Sequence, residues 1–350
     1  MTTSESTLRD TRGLDPTLAD IEAIASACLE LKDVLEAVRK EIGRVIVGQD
    51  VVVEQVLWAL FGNGHLLLEG VPGLGKTLLV QTLSSVLKLD YSRIQFTPDI
   101  MPADITGTNV VYDDVSGARR FEFEPGPIFS QLILADEINR ATPKSQAALL
   151  EAMQERSVTV GGTTRNLEPP FFVMATQNPI EQEGTYPLPE AQLDRFLMKI
   201  SVPVTNRTEL NEILDRTTGG TQDQANQILD AASILRAQSL VERIIVADHV
   251  TDYAVRLVMA THRGSQWSTT QIQELVMVGA SPRAAQAMVR TAKVRCLLQG
   301  RYAVSFGDIQ AVAMPVLRHR ILRSFEAEAE SISTDQIIAT LLERMPVDGD

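Results

Sequence analysis

Eight residues, Gly70-Val71-Pro72-Gly73-Leu74-Gly75-Lys76-Thr77, constrain this chain more than any other stretch. They follow the spacing G-x-x-x-x-G-K-[ST], come directly after the apolar run His65–Glu69, and lead directly into a helical pattern from Leu78 to Leu87. Strand, loop and helix in that order are the context in which such a loop wraps phosphate. Glycines allow positive φ angles, which turn successive backbone N–H groups inward beside a helix N-terminus and form a cradle for a polyphosphate. Gly70, Pro72, Gly73, Leu74, Gly75, Lys76, Thr77 and Leu78 are therefore the expected contacts. Lys76 is placed to reach the β- and γ-phosphates, and the Thr77 hydroxyl to ligate Mg²⁺.

The surrounding pattern fits a nucleotide-binding sheet. Short apolar runs at His65–Glu69, Ile94–Phe96, Leu132–Ala135, Phe171–Ala175 and Phe196–Val202 alternate with helical stretches, which predicts a mainly parallel sheet covered on both faces. Two segments interrupt it. Thr108–Tyr112 and Arg119–Glu124 flank Asp113–Gly117, while Ser157–Val160 and Thr163–Leu167 flank Gly161-Gly162, so each reads as an inserted β-hairpin. Ahead of the sheet, apolar residues from Ile24 to Ile42 recur at helical spacing, and a second helix ends near Phe61. Strand signals stop beyond Val204. Amphipathic helices follow from about Arg207 to Met345, with N-caps at Ser281, Ser305 and Ser333. The expected organisation is a loose tail over residues 1–18, an α/β domain over 19–204 and a smaller all-α domain over 205–350.

Composition narrows the function classes. At 44% hydrophobic and 22% charged residues the 350-residue chain reads as globular, and no apolar run approaches the roughly 20 residues of a membrane span. The start, MTTSESTLRDTRGLDP, has no apolar core behind a basic stretch, so a cytoplasmic protein without membrane insertion is expected. The net charge of −13 opposes non-specific attraction to nucleic acid. Cys28 and Cys296 lack metal-ligand spacing and read as buried apolar residues, and the four histidines share no metal pattern. Leu317-Arg318-His319-Arg320 reads as a solvated basic helix face.

A second strand ends in chemistry. Leu132-Ile133-Leu134-Ala135-Asp136-Glu137 is an apolar run closing on two carboxylates, where such sheets place a Mg²⁺-supporting Asp136 and a water-activating Glu137. With the phosphate loop, these residues resemble an AAA+ ATPase, and within that class the MoxR family. Asp136 to Ala141 with Gln146 to Met153 are similar to the family's segment after Walker B. Ala175-Thr176-Gln177-Asn178-Pro179 looks like its sensor 1, Leu188 to Phe196 like its arginine-finger segment, and Gly279-Ala280-Ser281-Pro282-Arg283-Ala284 like its sensor 2. Val47-Gly48-Gln49 resembles its adenine-contacting segment.

The resemblance implies ATP as nucleotide, with Mg²⁺, and a P-loop domain followed by a helical lid. It implies that Asn178 orients water, that Arg195 serves a neighbouring subunit, and that Arg283, a cation at a helix start where the dipole disfavours it, faces phosphate. It also implies a homo-oligomeric ring, a hexamer, that remodels protein substrates with von Willebrand factor A domains. The alternative is a magnesium-chelatase-like subunit or a nucleic-acid-directed motor. Tyr112, Arg119, Arg120, Phe121 and Arg165 on the hairpins are the pore-side candidates, and Asp113, Asp114, Glu122 and Glu124 among them argue against tracking a phosphate backbone.

Overall fold

The computed structural model describes residues 18–113, 119–179, 184–218 and 224–347. The expected N-terminal tail, apart from Leu18, and the tip of the first hairpin lie outside them. Helices α1 (Leu18–Val45) and α2 (Asp50–Phe61) precede the first strand, β1 (Leu66–Glu69), and α3 (Lys76–Leu87) follows the phosphate loop. Next come β2 (Tyr91–Gln95), the short α4 (Pro102–Thr106), and the hairpin β3 (Gly107–Asp113) with β4 (Arg119–Pro125). Strand β5 (Leu132–Asp136) and α5 (Pro143–Glu155) lead to the hairpin β6 (Ser157–Val160) and β7 (Thr163–Asn166), then to β8 (Phe172–Gln177), α6 (Glu190–Leu193) and β9 (Met198–Ser201).

Five strands form one parallel sheet in the order β2-β5-β8-β1-β9. Period-2 alternation sorts its side chains between two cores. Leu66, Leu68, Leu132, Leu134 and Met174 face the layer of α1, α2 and α3, whereas Leu67, Ile133, Val173 and Ala175 face Leu149, Leu150 and Met153 of α5. Burial on both faces explains why these strands read as continuous apolar runs. The expected run at Ile94–Phe96 is longer in the structure and starts at Tyr91, whose flanking polar residues hide it from a purely apolar reading.

The two hairpins pack on each other. Arg165 of β7 lies over the Phe123 ring of β4 at 3.8 Å, and Phe123 meets Phe129 edge to face. Arg165, one of the pore-side candidates, stacks on this ring because the face of an aromatic ring attracts a guanidinium.

The remaining helices are α7 (Arg207–Thr218), α8 (Ala231–Arg243), α9 (Asp248–Ala260), α10 (Thr270–Leu275), α11 (Pro282–Leu298), α12 (Phe306–Leu317), α13 (Phe325–Ala329) and α14 (Thr334–Arg344). Ser281 caps α11, and Ser305 with Asp308 and Ser333 with Gln336 form capping boxes on α12 and α14. This helical part also holds a two-stranded ladder that the sequence pattern does not announce, β10 (Val276–Val278) with β11 (Leu322–Arg323), too short to show alternation. Helix α1 packs on α3 and also on α8 and α11, so one apolar core runs from the sheet into the lid.

Candidate nucleotide site

The phosphate loop lies at the carboxyl end of β1, where parallel sheets hold ligands. Gly73 and Gly75 have φ of 84° and 73°, the left-handed region that favours glycine, and a side chain on Gly73 would meet nothing within 4 Å. The loop therefore encloses open space. Lys76 Nζ donates to the Gly70 carbonyl at 2.6 Å, and burial lowers its pKa from the usual lysine value while Asp136 and Glu137 act the other way.

Across from it, β5 delivers its two carboxylates. Asp136 Oδ1 accepts from the Thr176 hydroxyl at 2.6 Å, and Oδ2 accepts from Arg93 Nη2 at 2.6 Å. Thr176 Oγ1 also accepts from the Glu137 backbone N–H at 2.8 Å, so one side chain of β8 sets both carboxylate residues. Glu137 sits at φ 57°, an uncommon conformation for a side-chain-bearing residue and one that marks functional turns. Its Oε2 accepts from Gln95 at 3.0 Å and from Arg140 at 2.9 Å. Asn178, just beyond β8, is buried and lines the same cleft, which holds about 540 Å³ between Lys76, Thr77, Asp136 and Glu137.

Open glycines, an ammonium, a hydroxyl and strand-end carboxylates fit a triphosphate with its magnesium ion, which needs few protein ligands beside the phosphates. No group of three or more His, Cys, Asp or Glu side chains among the described residues forms a metal cage.

A smaller cavity of about 150 Å³ adjoins the loop on its far side, between Val47, Gln49, Leu74 and Ile213 and Thr217 of α7. Gln49 Nε2 donates to the Leu74 carbonyl at 2.8 Å, which ties the α1–α2 turn to the phosphate loop. Gly48, at φ 70°, is pressed against Glu209 rather than facing the cavity. Of the Val47-Gly48-Gln49 segment, Val47 and Gln49 form one wall of this cavity. Its other wall, Thr205 just ahead of α7 with Ile213, Arg216 and Thr217 on it, carries no motif and lies far along the chain from Val47 and Gln49. Thr176, Arg93 and Gln95 carry no motif of their own, although Thr176 lies two residues before Asn178 in the sensor-1-like segment.

Arg195 and Arg283 do not enter either cavity. Both line a third, of about 240 Å³, on another part of the chain. Arg195 Nη1 donates to the Leu150 carbonyl at 3.1 Å. Arg283 lies 3.8 Å from Asp194 Oδ2, which also accepts from the Ser281 hydroxyl at 2.8 Å. Asp194 Oδ1 accepts from Arg320 Nε at 2.8 Å. The basic cluster expected as a solvated face is therefore structural: the Arg320 side chain is 3% exposed, His319 is buried, and Arg318 pairs with Asp335. A carboxylate and several strand-end carbonyls facing the lid need donors there, and Arg320 satisfies them.

A parallel sheet with a phosphate loop at one strand end, paired carboxylates on a neighbouring strand and a helical lid define an AAA+ ATPase. The model of the AAA ATPase family associated with various cellular activities matches residues 65–198, and that of the AAA lid domain matches residues 268–341. The chain is 46% identical over 309 residues to the chaperone MoxR1 of Mycobacterium tuberculosis, covering 88% of this chain and 81% of that one. It is 32% identical over 333 residues to the protein MoxR of Methylorubrum extorquens, covering 90% and 95%. A crystal structure of a candidate ATPase from Cytophaga hutchinsonii superposes with a TM-score of 0.87 at 41% identity, covering 94% of this chain and 99% of that one. The chain belongs to the MoxR family of chaperone-type AAA+ ATPases. No helix among the described residues is long and apolar enough to cross a membrane.

Proposed function

We propose that this protein hydrolyses ATP to ADP and phosphate at sites shared between neighbouring copies of a closed ring, a hexamer, and uses the cycle to remodel protein partners carrying von Willebrand factor A domains in the cytoplasm. One observation carries the shared-site reading. Arg195 and Arg283 converge in a pocket of their own that excludes the chain's phosphate loop, where Arg195 meets the Leu150 carbonyl and Arg283 a more distant Asp194, so a phosphate for the pair would come from another chain. Head-to-tail contacts bring it from the next copy and close into rings.

In this reading the loop amides and Lys76 bind the β- and γ-phosphates, and the adenine lies between Val47, Gln49 and α7. Thr77 and Asp136 would hold Mg²⁺, which neutralises phosphate charge when bound. Asn178 orients water, and Glu137 takes its proton as the oxygen bonds to the γ-phosphorus and the β–γ bridge breaks. Arg195 and Arg283 of the next copy stabilise the charge that develops.

The first hairpin supports a protein substrate over a nucleic acid, since its arginines are already paired: Arg120 with Glu122 at 2.9 Å and Arg119 with Asp113 at 3.6 Å.

Mixing two inactive variants tests the shared site. Lys76→Ala chains retain their fingers and Arg195→Ala chains retain their phosphate loops. Co-assembled at equal ratio, they should recover part of the wild-type phosphate release, while Arg195→Ala alone turns over on the order of 10³-fold more slowly. A mixed ring that stays inactive overturns the reading.

A further inference from the structure

The pocket that holds Arg195 and Arg283 contains more positive charge than those two supply. Arg156, Arg290 and Arg320 line it too, and no aspartate or glutamate does. In a chain of net charge −13, five guanidinium groups around 240 Å³ are a local inversion of the overall sign. Arginine stays charged in proteins, so the repulsion is not relieved by losing protons.

Protein partners account for some of these groups. Arg320 is spent on Asp194 and strand-end carbonyls. Arg156, from the C-terminal end of α5, donates through Nη2 to Asn63 Oδ1 at 2.6 Å and to the Asn63 carbonyl at 3.1 Å, and its other donors remain. Arg290 is different. It projects from α11 two turns beyond Arg283, makes no hydrogen bond or ion pair with any described residue, and has Arg156 as a like-charged neighbour. Seven residues separate Arg283 from Arg290, which places both on one face of α11 about 10 Å apart along its axis, within reach of a single extended anion.

We infer that Arg290, with Arg156 beside it, is a further phosphate-contacting residue delivered to the neighbouring subunit, so that the next copy's nucleotide is gripped by four guanidiniums rather than two. This rests on the shared-site reading above. The favoured anion is the polyphosphate of the bound nucleotide. Forked N–H donors match phosphate oxygens, and Gln286, between the two arginines on α11, adds amide donors suited to the same oxygens. Carboxylates of the next copy are the competing source.

The directional mixing experiment decides. Arg290→Gln is placed either on the Lys76→Ala chain, which donates its fingers to the working interface, or on the Arg195→Ala chain, which supplies the working phosphate loop. In the donor chain it should lower the recovered rate by roughly 10–100-fold, the worth of a hydrogen bond to a charged group. In the acceptor chain it should leave that rate unchanged. Arg290→Lys in the donor chain should recover part of the loss, since charge survives and the fork does not. Binding of a fluorescent ATP analogue to dilute Arg290→Gln subunits should match wild type, which separates the effect from misfolding or damage to the chain's own cleft. Recovery by the parent pair with no effect of Arg290→Gln, or an effect from the acceptor chain alone, overturns the inference and leaves the shared site standing. Failure of the parent pair removes both. Should Arg290→Gln weaken assembly equally with ATP, with ADP and without nucleotide, measured by light scattering, the anion is a carboxylate and the phosphate assignment falls.

Discussion

At the residue scale, burial decides what each polar group can do. His65 is the clearest case: Nδ1 accepts from the Val173 N–H at 3.1 Å, Nε2 lies 3.1 Å from the Met153 carbonyl, and full burial pushes its pKa down to about 4. The unfolded chain takes up this proton near pH 6.5, whereas the native one refuses it until about pH 4. The unfolded state thus binds more protons in that window, so the stability is complete above pH 6.5 and falls as pH drops toward 4, by up to about 3 kcal/mol. His319, buried beside Arg320, shifts in the same direction. Urea unfolding between pH 7.5 and 4.5 should show a shallower decline for His65→Gln than for wild type. Equal slopes would mean that His65 is charged in the native protein. The same logic explains Cys28 and Cys296, free and buried, whose thiols burial raises to about 11 and about 12, so neither is a ready nucleophile.

At the element scale, the turn between α1 and α2 shows how short connections set a site. Gly48 at φ 70° lets Val47 and Gln49 line the cavity proposed above for adenine while its own backbone closes on Glu209. An added Cβ would stand 2.3 Å from the Glu209 carboxyl carbon, and Glu209 Oε2 accepts the Asn206 N–H at the start of α7. Gly48→Ala therefore costs about 1–2 kcal/mol of left-handed strain and shifts α7, the far wall of the cavity. ATP affinity should fall roughly tenfold, corresponding to about 1.4 kcal/mol, with tripolyphosphate affinity unchanged. Calorimetry with both ligands checks this, and equal losses would place the adenine elsewhere. The strands and capped helices were legible because their signals are local: two-sided burial gives apolar runs, and Ser281, Ser305 and Ser333 mark helix starts. The β10–β11 ladder was not, since a few residues held by neighbouring helices show no period.

At the scale of the whole molecule, net charge and hairpin chemistry argue for a protein substrate. With −13 overall and self-paired arginines on the first hairpin, affinity for DNA or RNA at physiological salt should lie near the roughly 10⁻⁴ M weak end of non-specific binding. Glu137→Gln, which keeps the phosphate loop and removes the proposed base, should trap the ATP-bound assembly and retain a von Willebrand factor A partner in a pull-down. Micromolar binding of labelled oligonucleotides by the same variant, or DNA-stimulated phosphate release by wild type, would favour a nucleic-acid motor.

Sequence by itself determined the parallel sheet, the two hairpins, the phosphate loop and the strand-end carboxylates, because each is written in contiguous residues whose spacing matches a backbone geometry. It also marked Asn178, Arg195 and Arg283, one residue at a time, through family resemblance. Tertiary structure alone decided which of these share a cavity. Asn178 joins Lys76 and Glu137 because β8 lies between β1 and β5. Arg195 and Arg283 join Arg156 and Arg290 because α11 folds back beside the ends of α5 and β9's leading turn. The wall from α7 and the docking of α1 on the lid were decided the same way. Such meetings depend on how amphipathic faces pack over long separations, and any one helix face offers many partners that only the complete core selects between.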